Sequence, residues 1–78
     1  MIRVLYFAAL RDAAGCAEES IPEHRDSLAA LYQLLAARHG FTLPRERVRV
    51  ARNGDFARWE EAPAPGDEIA FLPPVSGG

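Results

Sequence analysis

The chain closes on "FLPPVSGG", and the residues in that stretch are the ones whose order could do chemistry. Pro73 and Pro74 lack a backbone N–H and hold φ near −65°, so a strand that reaches Leu72 must stop pairing there. Consecutive prolines favour the extended polyproline II path. The six residues from Pro73 to Gly78 can span roughly 20 Å when extended. Val75 and Ser76 continue the arm. Gly77 and Gly78 have no Cβ, which lets the backbone thread a channel too narrow for side chains and turn inside it. The reactive group so presented is the Gly78 α-carboxylate. A carboxylate is a poor acyl donor until it is activated. Adenylation by ATP makes it an acyl phosphate anhydride, which a thiol or persulfide can attack. An unbranched α-carbon leaves that carbonyl open on both faces.

A terminal Gly-Gly arises by chance in about 0.5% of chains, given glycine near 7% of residues. The pair gains its weight from the diproline before it and from the elements that position both. "IRVLYFA" reads as a strand with apolar residues on both faces. "LRDAAG" reads as one helical turn stopped at Gly15, and "AEESIPE" as a short strand ending near Pro22. The main helix starts at a cap supplied by Ser27 or Asp26. It carries Leu28, Leu31, Tyr32 and Leu35 on one face, with Leu34 flanking, and ends at Gly40. "RVRVAR" is a third strand with Val48 and Val50 inward and Arg47, Arg49 and Arg52 outward. Asn53-Gly54 signals a type I′ hairpin turn, with "DFARW" returning. "EEAPAPGD" is a loop and "EIAFL" the last strand.

One helix over one face of a mixed sheet is an α+β two-layer domain. The β-grasp, or ubiquitin-like, fold has this element order. It places the first and last strands side by side and parallel at the sheet centre. The expected organisation is a β-grasp domain over 1–72 and an extended tail over 73–78. Parity then sends Ile2, Val4, Tyr6, Ile69 and Phe71 to the helix, and Leu5, Phe7, Ala70 and Leu72 to the opposite face. A one-sided sheet should be polar there. This apolar patch, joined by Phe56, therefore reads as a partner surface leading into the tail.

Size and charge bound the rest. The chain has 78 residues and a net charge of −2, which gives one thin core and no basic footprint for nucleic acid. All nine basic residues are Arg, so a reaction needing a side-chain amine must find it on a partner. One Cys forms no internal disulfide. No run approaches a membrane span, and the opening residues lack a signal-peptide pattern. The expected setting is cytoplasmic. Cys16 has no neighbouring base in sequence, and His24 and His39 show no ligand spacing, so neither a sulfur relay nor a metal is expected. Trp59 reads as a rim or core aromatic. Glu60, Glu61, Asp67 and Glu68 read as solvated, or as an acidic rim that steers an Arg- or Lys-lined partner. No nucleophile–base constellation suggests an enzyme acting alone.

The ending "GDEIAFLPPVSGG", the opening "MIRVLYFAALRDAAG" and the "VARNG" hairpin resemble the small, sulfur-carrying subunits of molybdopterin synthases. The likeness covers nearly the whole chain and is least diagnostic from Cys16 to Leu43. It implies a non-catalytic partner in a heterotetrameric synthase. A ubiquitin-activating-like adenylyltransferase would adenylate Gly78 with ATP. A cysteine desulfurase or rhodanese-type donor would convert it to a thiocarboxylate. The tail would then enter the large, catalytic subunit and give its sulfur to cyclic pyranopterin monophosphate. Gly77 would supply fit, and Phe7, Phe56 and Leu72 the docking surface, with Arg11 adding a polar contact and Pro73 to Ser76 lying along the partner. A sulfur carrier for thiamine or tRNA thiolation, a ubiquitin-like modifier joined to partner lysines, and a plain binding module are the alternatives.

Overall fold

The computed structural model describes residues 1–22 and 26–74. The elements run β1 (Ile2–Tyr6), α1 (Ala8–Ala14), β2 (Glu18–Ile21), α2 (Leu28–His39), a 3₁₀ turn (Arg45–Arg47), β3 (Arg49–Arg52), β4 (Asp55–Phe56) and β5 (Glu68–Leu72). The sheet order is β2-β1-β5-β3-β4. β1 and β5 pair in parallel with Val4 opposite Ile69 and Tyr6 opposite Phe71. The other pairings are antiparallel. This is the expected β-grasp, with the last strand at the middle of the sheet.

The alternation in β1 and β5 sorts the two faces. Ile2, Val4, Tyr6, Ile69 and Phe71 are buried, and they share one core with Leu28, Leu31, Tyr32 and Leu35 of α2. The helix earns its place through that apolar stripe and through its caps. Ser27, in extended backbone, accepts from the Ala30 amide at 3.0 Å, which meets one of the donors a helix start leaves unpaired. Two more are met from the far loop: the Leu28 and Ala29 amides donate to the carbonyls of Glu61 and Trp59. Gly40, at φ 75°, closes the other end, and the Gly40 and Phe41 amides both donate to the Ala36 carbonyl.

The aromatic part of the core fixes the loop after α2. Tyr32 meets Phe71 at 5.2 Å between ring centroids and Trp59 at 5.6 Å, while Trp59 lies nearly parallel to Phe71 at 6.0 Å. Trp59 is thus a half-buried core-rim aromatic. Burial raises the Tyr32 phenol above its ordinary range, so the neutral hydroxyl donates to the Leu43 carbonyl at 2.7 Å.

Four local expectations need correction. The turn after β1 is a full helix, Ala8–Ala14, and β1 ends at Tyr6 rather than running on to Ala8. Chain direction changes at Phe7 and Ala8, the latter at φ 50°. Arg47 belongs to the 3₁₀ turn and not to β3; Pro44 at the head of that turn and the Val48 amide closing on Arg45 favour the tighter coil. The return strand is only Asp55–Phe56, because the Ala57 amide turns back to Val50 and Trp59 leaves for the core. The hairpin turn itself forms as expected, with Asn53 at φ 52° and Gly54 at φ 91°.

The fourth correction concerns three of the carboxylates read as solvated; Glu60 is exposed as expected. Asp67 is only 8% exposed. It accepts from the Ala64 amide at 2.8 Å, Asn53 Nδ2 at 3.0 Å and Arg52 Nε at 3.0 Å. The Ala64 amide first, then Asn53 and Arg52, hold its carboxyl below the usual range. Glu61 pairs with Arg52 at 3.1 Å and accepts from the Arg58 amide. Glu68 pairs with Arg3 at 3.2 Å. The loop from Ala57 to Asp67 is therefore anchored to the hairpin, to α2 and to the start of β5.

Candidate functional site at the root of the tail

β5 leaves the sheet at Leu72, and Pro73 and Pro74 follow it outward. Beside this exit lies an open apolar groove of about 550 Å³. Leu72, Pro73 and Pro74 form one wall, and Phe7 with Ala8 and Ala9 at the start of α1 the other. Leu43 closes one side, delivered there by the loop that Tyr32 holds. Phe7 is 42% exposed. It precedes α1 as its cap residue: its carbonyl accepts from the Leu10 and Arg11 amides, while its side chain makes no capping hydrogen bond.

Cross-strand register extends the apolar surface over the face turned away from α2. Leu5, Ala70, Ala51 and Phe56 stand in one row across β1, β5, β3 and β4. The first three are half-buried, and Phe56 is 66% exposed. In the next row Leu72 faces Arg49. The Arg49 guanidinium rests over the Phe56 ring, 4.5 Å from its centroid. On the far side of the Leu5 row, Arg3 binds Glu18 at 2.6 Å and Glu68 at 3.2 Å. The open face is thus polar and internally paired near the start of β5, and apolar but for Arg49 near its end.

The structure brings Phe7, Leu72, Pro73 and Pro74 together at one groove. Phe56 stands apart from that groove on the same sheet face, beside a separate hollow with Arg52 and Asp55. Arg11 is exposed on α1 and does not line the groove; its carbonyl accepts from the Gly15 amide. Val75, Ser76, Gly77 and Gly78 lie outside the described residues, as does His24.

The ThiS family profile matches residues 4–78. The chain belongs to the ThiS family. A curated relative, the molybdopterin synthase sulfur carrier subunit of Escherichia coli strain K12, is 33% identical over 100% of both chains. The protein of the same name from Chlamydomonas reinhardtii is 36% identical over 99% of this chain and 98% of its own. Among solved structures, small archaeal modifier protein 1 of Haloferax volcanii superimposes with a TM-score of 0.77 at 27% identity, covering 95% of this chain and 97% of that one.

Two features of this ThiS-family chain escaped sequence reasoning. Leu43 carried no signal, because its place is set by the Tyr32 hydroxyl, eleven residues away, and by packing against the core. Glu19 points to the helix side from edge strand β2, opposite Val4. Its carboxylate accepts from the Tyr6 hydroxyl and lies 2.6 Å from His39 Nε2. Burial alone would raise Glu19, but the Tyr6 hydroxyl, His39 and Arg38 outweigh it and hold the carboxyl below its usual range. Burial, and then Glu19, push the Tyr6 phenol far above its ordinary value. This cluster ties β2 and β1 to the end of α2 and sits away from the groove. Cys16 is half-buried against the core in the turn before β2. No helix among the described residues is long and apolar enough to cross a membrane.

Proposed function

We propose that this chain is the sulfur carrier subunit of molybdopterin synthase and is not an enzyme on its own. The observation that carries the reading is the apolar groove at the tail root, which shares its wall with the two prolines that begin the tail. The folded domain is then a handle for Gly78. An adenylyltransferase of the ubiquitin-activating type transfers AMP from ATP to the Gly78 carboxylate and releases pyrophosphate. The outer sulfur of a cysteine desulfurase or rhodanese-type persulfide attacks the acyl adenylate and displaces AMP, giving an acyl disulfide. A second thiol then attacks the donor's sulfur, forms a disulfide with it and releases the thiocarboxylate. The large synthase subunit docks over Phe7, Leu72 and the Phe56 row, receives Pro73 to Ser76 along its surface, and lets Gly77 and Gly78 reach the pterin precursor. Two carriers in turn each pass one sulfur to cyclic pyranopterin monophosphate to build the dithiolene, and water takes up the acyl group each time, so that the carrier returns as carboxylate.

The relatives named as sulfur carrier subunits at full coverage support this reading. The test is reconstitution in the cytoplasmic setting it assumes. The thiocarboxylated chain, mixed with the large subunit and the precursor, should yield molybdopterin in proportion to carrier consumed. No product, with the large subunit active on another carrier, would overturn it. A second reading, protein modification, is favoured by the likeness to small archaeal modifier protein 1. It predicts Gly78 joined to target lysines in cells. Because the chain itself holds no Lys, such conjugates could not extend through its own side chains.

A further inference from the structure

Two arginines stand on the open face of the sheet, at Arg3 and Arg49, and they are treated differently. Arg3 is neutralised within the chain by Glu18 and Glu68. Arg49 has no carboxylate within ion-pair reach among the described residues. It is exposed, it faces Leu72 across the β3–β5 ladder, and its guanidinium lies over Phe56. A cation is thus set between the two apolar side chains that lead to the groove.

A guanidinium resting on an aromatic ring keeps its N–H donors free at its edge. While the face is wet, water serves them. A partner that covers Phe56 and Leu72 must also cover the head group between them. Burying a charge without a counter-charge is costly, and truncating one member of a buried pair is correspondingly damaging. We propose that Arg49 sets the specificity of the docking surface by requiring an acidic residue on the partner, seated within an apolar surround opposite the Phe56–Leu72 junction. The partner is the protein that receives the tail, so this inference rests on the docking reading above. It adds what that reading lacks, the sign of the charge the receiving surface must carry.

The experiment is titration of the full chain against the large synthase subunit from the same organism, at NaCl from about 50 to about 500 mM, where screening changes strongly. Wild type, Arg49→Gln, Arg49→Glu and Leu72→Asp are compared. Arg49 is exposed, so its variants should keep the wild-type unfolding curve. Arg49→Gln should weaken binding on the order of 10-fold at low salt, and Arg49→Glu on the order of 100-fold. Both gaps should narrow only in part as salt rises, because a pair covered by the partner is screened less than an exposed one. Wild-type binding by Arg49→Glu, with Leu72→Asp defective, would overturn the inference and leave the docking reading standing. Equal loss in Arg49→Gln and Arg49→Glu would also overturn it, since Arg49 would then only prop the Phe56 ring. Failure of the wild-type chain itself to bind would overturn both.

Discussion

At the start of β5, Asp67 is met by the Ala64 amide, the Asn53 amide group and the Arg52 guanidinium, and Glu61 takes the other side of Arg52. The Glu68 amide donates to Asn53 Oδ1 and the Asn53 amide donates back to the Glu68 carbonyl. Four residues later, at the other end of the same strand, Leu72 passes into two prolines beside a groove lined by Phe7 and Leu43. The start of the strand satisfies its polar groups inside the chain. The end leaves apolar groups, and one arginine, for something outside it. Stability and recognition are therefore separated along five residues of β5, and changes at one end should leave the other's property intact.

The largest effect is expected beyond the exit end. Deleting Gly78 should abolish sulfur transfer altogether while the thermal unfolding curve stays that of the full chain, because the tail lies past the last paired residue. A deletion variant with normal transfer would break the comparison at once. Next comes Phe7→Asp. It should weaken partner binding on the order of 100-fold, as loss of an apolar anchor does. Its stability should hold or rise slightly, since Asp at that position can cap the uncapped start of α1. Unfolding of Phe7→Asp under conditions where wild type is folded would show that the ring belongs to the core.

The start of the strand should answer in the opposite way. Asp67→Ala leaves Arg52 Nε, Asn53 Nδ2 and the Ala64 amide without their acceptor and should cost about 2 kcal/mol in denaturant unfolding, with partner affinity unchanged. The smallest effect is in pH. Asp67 and Glu19 are both held below their usual range in the folded chain. Their unfolded forms therefore bind protons first as acid is added. Their contribution is full above the ordinary carboxylate values and is lost as pH falls through about 4 and below. Unfolding free energy measured from pH 7 downward should drop there, with a shallower slope in Asp67→Asn. An identical slope in that variant would remove Asp67 from the account.

Much of this was legible in the sequence because local rules decide it. Alternation in "IRVLY" and "EIAFL" assigned both faces of the central strands, Ser27 and Gly40 bounded α2, and Asn53-Gly54 marked the turn. The diproline and diglycine pointed to the tail. What was not legible depends on partners far away in the chain. Asp67 looks like any loop carboxylate until Arg52 and Asn53 reach it, and Glu19 looks like surface charge until His39, twenty residues on, closes over it. Arg49 read only as an outward-facing arginine; its isolation is visible only beside the paired Arg3.

The central claim is that Gly78 carries the sulfur, and intact mass with tandem fragmentation tests it most directly. After incubation with the activating enzyme, ATP and a persulfide donor, the chain should gain the difference between one sulfur and one oxygen, located on Gly78. The chain lacking Gly78 should gain nothing. An unchanged wild-type mass with an enzyme shown to be active, or a gain located on Cys16 instead, would contradict the account.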